Sequence, residues 1–220
     1  MKYQTYSHRH ALDLLANNPA YQAEWLSLKS VLDGLSDEKI IDYFQRFSEG
    51  KSKSISAAIN KALKDDLMLE GWREESPIFQ DTNYQGNSWR LDFAKGMVAV
   101  EVAFNHGEAV AWNLIKPNLS GELNHVQKAI QTEIGIVITA TESLREAGGF
   151  DSAVGTYEKF LTYLKPMRQM LTVPMLIIGL EAPESFYLRH RVEGRKKVGV
   201  VEQKVATYSV GMLSDKGGNL

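Results

Sequence analysis

The stretch WRLDFAKGMVAVEVAF, residues 89–104, decides the fold. WRLDFA and MVAVEVAF are rich in β-branched and aromatic residues, and the KG between them is a turn pair, so they read as two strands of a hairpin. In VAVEVAF the period of two puts Val98, Val100, Val102 and Phe104 on one face, and Ala99, Glu101 and Ala103 on the other. A carboxylate therefore sits mid-strand on a face that is otherwise small, which predicts room there for a cation and a phosphate rather than packed core. Asp92, across the turn, is brought to the same point by strand pairing. Glu74 and Glu75, at a helix end just before the hairpin, complete an acidic constellation. Magnesium is a hard cation that takes oxygen ligands, usually one or two protein carboxylates, with water and phosphate filling the rest. Two readings of Glu101 are open at this point: a ligand for such a cation, or an edge-strand charge paired with Arg90.

Working outward, the segment before the hairpin reads as helices. SHRHALDLLAN offers a capping Ser, PAYQAEWLSLKSVLDGL starts at Pro and ends near Gly, and SDEKIIDYFQRFSEG has a capping Ser, acidic residues in its first turn and a terminal Gly. Ile55, Ile59, Leu63 and Leu67 carry the pattern through a fourth helix. SPIFQDTNYQGNS reads as loop or irregular strand. Beyond the hairpin, GEAVAWNLIKPNLS and NHVQKAIQTE read as helices, IGIVITAT as a strand covered on both faces, FDSAVGTYEKFLTYLKPMRQML as a long helix, and VPMLIIGLE as a second buried strand. The stripe Tyr157, Phe160, Leu161, Leu164 has helical spacing and reads as core or dimer surface. A helical block, a hairpin, then helix, strand, helix, strand predicts an α/β fold: a mixed central β-sheet with helices on both faces. We read residues 1–220 as a single domain, with a helical part over 1–72, the catalytic sheet over 86–182, and a basic, strand-rich tail over 183–220.

The 220 residues suffice for one well-cored domain. With no cysteine, disulfides, thiolate metal sites and Cys nucleophiles are excluded. There is no His pair at HxxxH spacing, no G-x-S-x-G and no Walker or dinucleotide glycine pattern, which argues against zinc hydrolases, Ser hydrolases and nucleotide-binding enzymes. No signal-like apolar segment or membrane-length run is present, so the chain reads as soluble and cytoplasmic. The net charge of −2 argues only weakly against a nucleic-acid partner, because an acidic metal site and a basic groove cancel in the sum.

Several of these stretches together resemble one known family. YSHRHALDLL, GWREES, LDFAKGMVAVEVAF and VPMLIIGLEAP, spread over residues 6–183, are similar to segments of the BglII and BstYI type II restriction endonucleases, relatives of BamHI in the PD-(D/E)XK nuclease superfamily. The resemblance implies a restriction-endonuclease-like core and a homodimeric, Mg²⁺-dependent enzyme that hydrolyses double-stranded DNA at short palindromes, some with a GATC centre. It also implies a cognate DNA methyltransferase in the same restriction-modification system. Position by position, it implies that Asp92 and Glu101 ligate the metal, that the carbonyl of Val102 is a further ligand, and that Glu75 sits where the group has Glu or Asn before the hairpin.

One position departs from the family. Two residues after the strand Glu the group has Gln or Glu, and the wider superfamily Lys; here it is Ala103, which can neither ligate nor polarise water. Three explanations stand: natural loss, supply of the function by another group, or an engineered change. Lys95, Asn105 and His106 are nearby polar candidates that do not match the motif. Losing one such group commonly costs about two to four orders of magnitude in rate, so impaired cleavage with retained binding is expected, and an inactive sequence-specific DNA-binding protein on the same fold is the alternative. For DNA contacts, RHRVEGRKK (Arg189, Arg191, Arg195, Lys196, Lys197) and KSKS (Lys51, Lys53) are candidates for phosphates or simply solvated faces, and Asn105 and His106 are candidate base readers.

Overall fold

The computed structural model describes residues 1–123 and 125–204. A short strand, β1 (Tyr3–His8), leads into four helices, α1 (Ala11–Asn17), α2 (Pro19–Asp33), α3 (Asp37–Phe47) and α4 (Ser56–Leu69). Asn18 caps α2 by accepting from the N–H of Ala20, ahead of Pro19 in the first turn. Ser36 caps α3 in the same way through Lys39 N–H, with Asp37 and Glu38 placed where the helix dipole favours negative charge. Then follow β2 (Arg73–Pro77), β3 (Arg90–Lys95), β4 (Val98–Val102), α5 (Val110–Gly121), β5 (Ile134–Ala140), α6 (Glu142–Ala147), α7 (Tyr157–Met167), β6 (Met175–Leu180), β7 (Phe186–Glu193) and β8 (Lys196–Gln203).

The first six strands form one mixed sheet in the order β1-β6-β5-β4-β3-β2. β4, β5 and β6 run parallel, and the β3–β4 hairpin, β2 and β1 are antiparallel to their neighbours. β5 and β6 are buried at every position, as strands covered on both faces must be. On one face, Phe93, Val98, Val100, Ile136 and Ile178 pack beneath α1–α4. On the other, Val137, Met175 and Ile177 pack against α5 and α7, where Tyr157, Phe160 and Leu164 are core. β7 and β8 form a separate two-stranded sheet. The α/β architecture is thus the one expected from sequence, and no helix among the described residues is long and apolar enough to cross a membrane.

Four local expectations are corrected. The SHRHALDLLAN helix begins only at Ala11, because the chain before it is β1, paired to β6 from Tyr3↔Leu180 to His8↔Met175. β1 is an edge strand with four exposed residues, so it carries no apolar alternation and is held by backbone pairing. Residues 125–133 hold no helix: Gln127 accepts from Gln80 N–H and Ala129 donates to Ile78 O, so these backbone groups pair with a neighbouring segment. The long helix after Phe150 is restricted to α7, because the chain before it is extended, with Val154 bridged to His106 and Thr156 to Ala140. The sheet also takes β1 and β2 from outside the span 86–182. In the tail, only the part through residue 204 lies within the described residues.

Candidate active site

The hairpin turns tightly at Gly96–Met97, between the paired Lys95 and Val98, with Gly96 at φ +52° in the left-handed region that favours glycine. Its far end holds the carboxylates. Val102 N–H donates to Asp92 Oδ2 at 2.8 Å, and Asp92 N–H donates to Glu101 Oε1 at 3.4 Å, so each carboxylate accepts from the opposite strand. β2 completes this corner. Its pairing to β3 runs Arg73↔Ala94, Glu74↔Phe93, Ser76↔Leu91 and Pro77↔Arg90, leaving Glu75 unpaired. Glu75 has φ +48°, a conformation that costs a non-glycine residue about 1 kcal/mol or more. Its carbonyl accepts from Arg90 Nη1 at 2.9 Å. A cleft of about 270 Å³ opens beside Asp92, lined by Asn60, Lys64, Glu74, Glu75, Phe93 and Val102. Lys64 is ion-paired to Glu74 there.

The face of Glu101 is not the open space expected from its small neighbours. Ala99 packs with Ile78, Phe79 and Leu91, and Ala103 packs with Val110 and Leu114 of α5. The alanines admit a helix, not a phosphate, and the cleft instead opens toward Asp92, Phe93 and Val102. Gly135 on β5 lets α5 in: a Cβ there would meet Pro117 Cβ at 2.6 Å. This close approach delivers Lys116, whose side chain is 8% exposed, onto the carboxylates. Its Nζ is ion-paired with Glu101 Oε2, lies 3.9 Å from Asp92 Oδ1 and donates to Arg90 O at 3.1 Å.

Glu101 is 1% exposed while Asp92 is 36% exposed, so the two carboxylates differ in solvation. Burial, and then the charge of Asp92, push the Glu101 carboxyl up to about 8, against the pull of Lys116. Burial also raises Asp92, with Lys116 and the Val102 N–H opposing. Two carboxylates share one ammonium, leaving a surplus negative charge that a further cation or a proton relieves.

A model of the family "Restriction endonuclease BglII/BglIII" matches residues 3–180. The chain belongs to the BglII/BglIII restriction endonuclease family. Membership makes it, by family, a type II site-specific deoxyribonuclease. Two solved structures share the fold. The crystal structure of restriction endonuclease BglII complexed with a DNA 16-mer is 20% identical, with 92% of this chain and 91% of that one covered and a TM-score of 0.64. The crystal structure of free BglII is 16% identical, with 93% and 100% covered and a TM-score of 0.54. No curated protein matches the chain.

Asp92, Glu101, Val102 and Glu75 lie at one corner of the sheet. The other expected residues divide. Ala103 is 1% exposed within the apolar cluster beneath α5, so its side chain does not reach the cleft. Lys95 lies toward the turn end of the hairpin, bound to Glu70 O and Ser27 Oγ, and is no substitute for position 103. Asn105 and His106 are exposed just beyond β4, where Asn105 Oδ1 accepts from Asn113 Nδ2 at 3.0 Å. Arg189, Arg191, Arg195, Lys196 and Lys197 are all exposed on the β7–β8 hairpin, and none of them lines the Asp92 cleft. Arg189 pairs with Glu202 at 2.6 Å and Arg191 with Glu193. The two basic clusters meet, since Gly199 N–H donates to Ser52 O at 2.9 Å and His190 Nε2 lies 3.2 Å from Lys53 O.

Lys116 was not anticipated from sequence. The available signal was its place in NLIKPNLS, within the buried arc of α5 that includes Asn113, Leu114, Pro117 and Ser120. A lysine in such an arc needs a buried anion as its partner.

The packing of Ala103 gives a first prediction. Ala103→Gln adds volume to a filled cluster and buries an unpartnered amide, which costs about 2 kcal/mol. The unfolding midpoint is expected to fall by roughly 4 to 8 °C in calorimetry. An unchanged midpoint would mean that the added side chain escapes into the cleft, contrary to the packing described.

Proposed function

We propose that this member of the BglII/BglIII family is a Mg²⁺-dependent enzyme that hydrolyses double-stranded DNA at a short palindrome, with GATC-centred sites the first to test. The observation that carries the proposal is the convergence of Asp92 and Glu101 on one cation, the Lys116 ammonium, beside an open cleft. The attraction of both carboxylates for a cation supports a fit between the donor set and a hard divalent ion beside Lys116. Among the described residues no group of three or more His, Cys, Asp or Glu is gathered for a metal, and magnesium needs no such group. Asp92, Glu101 and the carbonyl of Val102 would hold the ion, with Glu75 at the cleft wall to orient water. When bound, the ion supplies charge neutralisation and Lewis acidity toward the phosphate.

In the hydrolysis a water oxygen bonds to phosphorus as the bond to the 3′ oxygen breaks. Water gives up a proton, the 3′ oxygen takes one, and the phosphate oxygens carry the added negative charge in between. The chain holds its acceptors still for this: the crossed hydrogen bonds from Val102 and Asp92 fix both carboxylates before substrate arrives. Ala103 contributes no group, so β4 by itself supports only slow cleavage. That residue alone favours the second reading, a sequence-specific DNA-binding protein that no longer cuts.

A palindrome is met most simply by two copies related by a two-fold axis, which argues for a homodimer. Asn105 and His106 are proposed to face bases and Arg189, Arg191, Arg195, Lys196 and Lys197 to meet phosphates. A DNA methyltransferase acting on the same sequence is the expected partner in a restriction-modification system. The test is selection of random duplexes in Ca²⁺ followed by sequencing of the retained DNA. A palindromic consensus is expected, and no enrichment by folded protein would contradict sequence-specific recognition.

A further inference from the structure

The geometry points to Lys116 as the fixed cation of the hydrolytic site, performing from helix α5 the electrostatic work for which strand position 103 has no side chain. The inference rests on the nuclease reading and deepens it. Among the described residues, the ion pairs of both Asp92 and Glu101 are made by Lys116. Its ammonium is nearly dry, donates to Arg90 O at 3.1 Å, and is reached by no other acidic side chain in that set of pairs. A cation so held needs no reorganisation as negative charge develops on a phosphate, and in a water-poor site it acts with little screening. It acts on the cleft through Asp92, which lines the cleft and lies 3.9 Å from its Nζ.

The sequence around it makes the arrangement specific. Ala103 follows Glu101 by two on the same strand face, and its small side chain packs against Val110 and Leu114 of α5. Pro117 against Gly135 holds the preceding residue, Lys116, close to the sheet. Ala103 leaves the helix free to lie against the strand, and Lys116 of that helix reaches Glu101. The alanine and the lysine are thus one solution, with the cation entering from the helix instead of the strand. The water's proton and the one that reaches the 3′ oxygen exchange with solvent.

The test compares the parent protein with Lys116→Met, which keeps the length and removes the charge, and Lys116→Arg, which keeps the charge. Three readouts are taken: cleavage of plasmid DNA in Mg²⁺, DNA binding in Ca²⁺, and Mn²⁺ binding without DNA by calorimetry. Lys116→Met is expected to cut at least about 100-fold more slowly than the parent. Its DNA binding should stay within a few-fold, and its Mn²⁺ binding should tighten because a positive neighbour has left. Lys116→Arg should keep most of the cleavage. If Lys116→Met unfolds, Lys116→Gln is carried through the same assays.

Lys116→Met cutting as fast as the parent overturns the inference. So does slow cutting combined with weaker Mn²⁺ binding, which would mark a merely structural lysine, and so does a parent that binds Mn²⁺ and DNA without cutting. A parent that binds neither contradicts the nuclease reading itself, a separate failure.

Discussion

Asp92→Asn is expected to lower Mg²⁺-dependent cleavage about a thousandfold while the protein stays folded and still binds DNA. The Lewis acidity of a divalent ion is worth several kcal/mol to a phosphate reaction, and each 1.4 kcal/mol or so is tenfold in rate. The fold is spared because asparagine Oδ1 still accepts the Val102 N–H that now bonds to Asp92 Oδ2 at 2.8 Å. Binding is affected in the opposite direction from cleavage. Without metal and above pH 8, where Glu101 also ionises, Asp92 and Glu101 outnumber the single Lys116 ammonium and repel a phosphate. In EDTA at that pH the variant should therefore bind DNA more tightly than the parent, as gel shift or anisotropy would show. Cleavage at parental rates would remove Asp92 from the chemistry, and a lowered melting temperature would assign it to the structure.

Glu101→Gln is expected to abolish cleavage and to make the metal-free fold more stable at alkaline pH. Burial and the neighbouring Asp92 raise Glu101 from the ordinary value of 4.5 to about 8. Between those values the folded protein holds a proton that the unfolded chain has shed. The stability this group contributes is full below 4.5 and is lost as pH rises through 8. At about 1.4 kcal/mol per unit, the loss amounts to a few kcal/mol. Glutamine resembles the protonated acid and escapes the loss, while Lys116 keeps Asp92 and Arg90 O as partners. Above pH 8 the variant should melt several degrees higher than the parent. Mg²⁺ should raise the parent's midpoint and leave the variant's unchanged, since a ligand that binds only the folded state stabilises it. Matching pH slopes in parent and variant would show that Glu101 is ionised in the fold like any surface carboxylate.

Much of this was legible in the chain, for reasons that can be traced to particular residues. The hairpin declared itself through the alternation of VAVEVAF and its glycine turn, and β5 and β6 through unbroken apolar runs that only a doubly covered strand tolerates. That Asp92 and Glu101 meet followed from strand pairing, while a ligand role for them came only with the family resemblance. What lay hidden depends on contacts between distant segments. β1 has no amphipathic pattern, because pairing to β6 and not side-chain burial holds it. The small residues flanking Glu101 read equally as space for substrate or as a seat for a helix, and the decision rests with Pro117 against Gly135, eighteen residues apart in sequence but touching in the fold. Lys116 was invisible for the same cause: a lysine in an apolar arc announces a buried partner without saying which. Glu75 gave no hint of its left-handed backbone, which arises where β2 passes the carboxylate corner.

The most direct test of the account is incubation of the parent protein with plasmid DNA in Mg²⁺, in Ca²⁺ and in EDTA, with the ends of any fragments sequenced. Double-strand cuts in Mg²⁺ alone are expected, all at one short palindrome. Folded protein that leaves the plasmid intact in Mg²⁺ and in Mn²⁺, or that cuts equally well in EDTA, would contradict it.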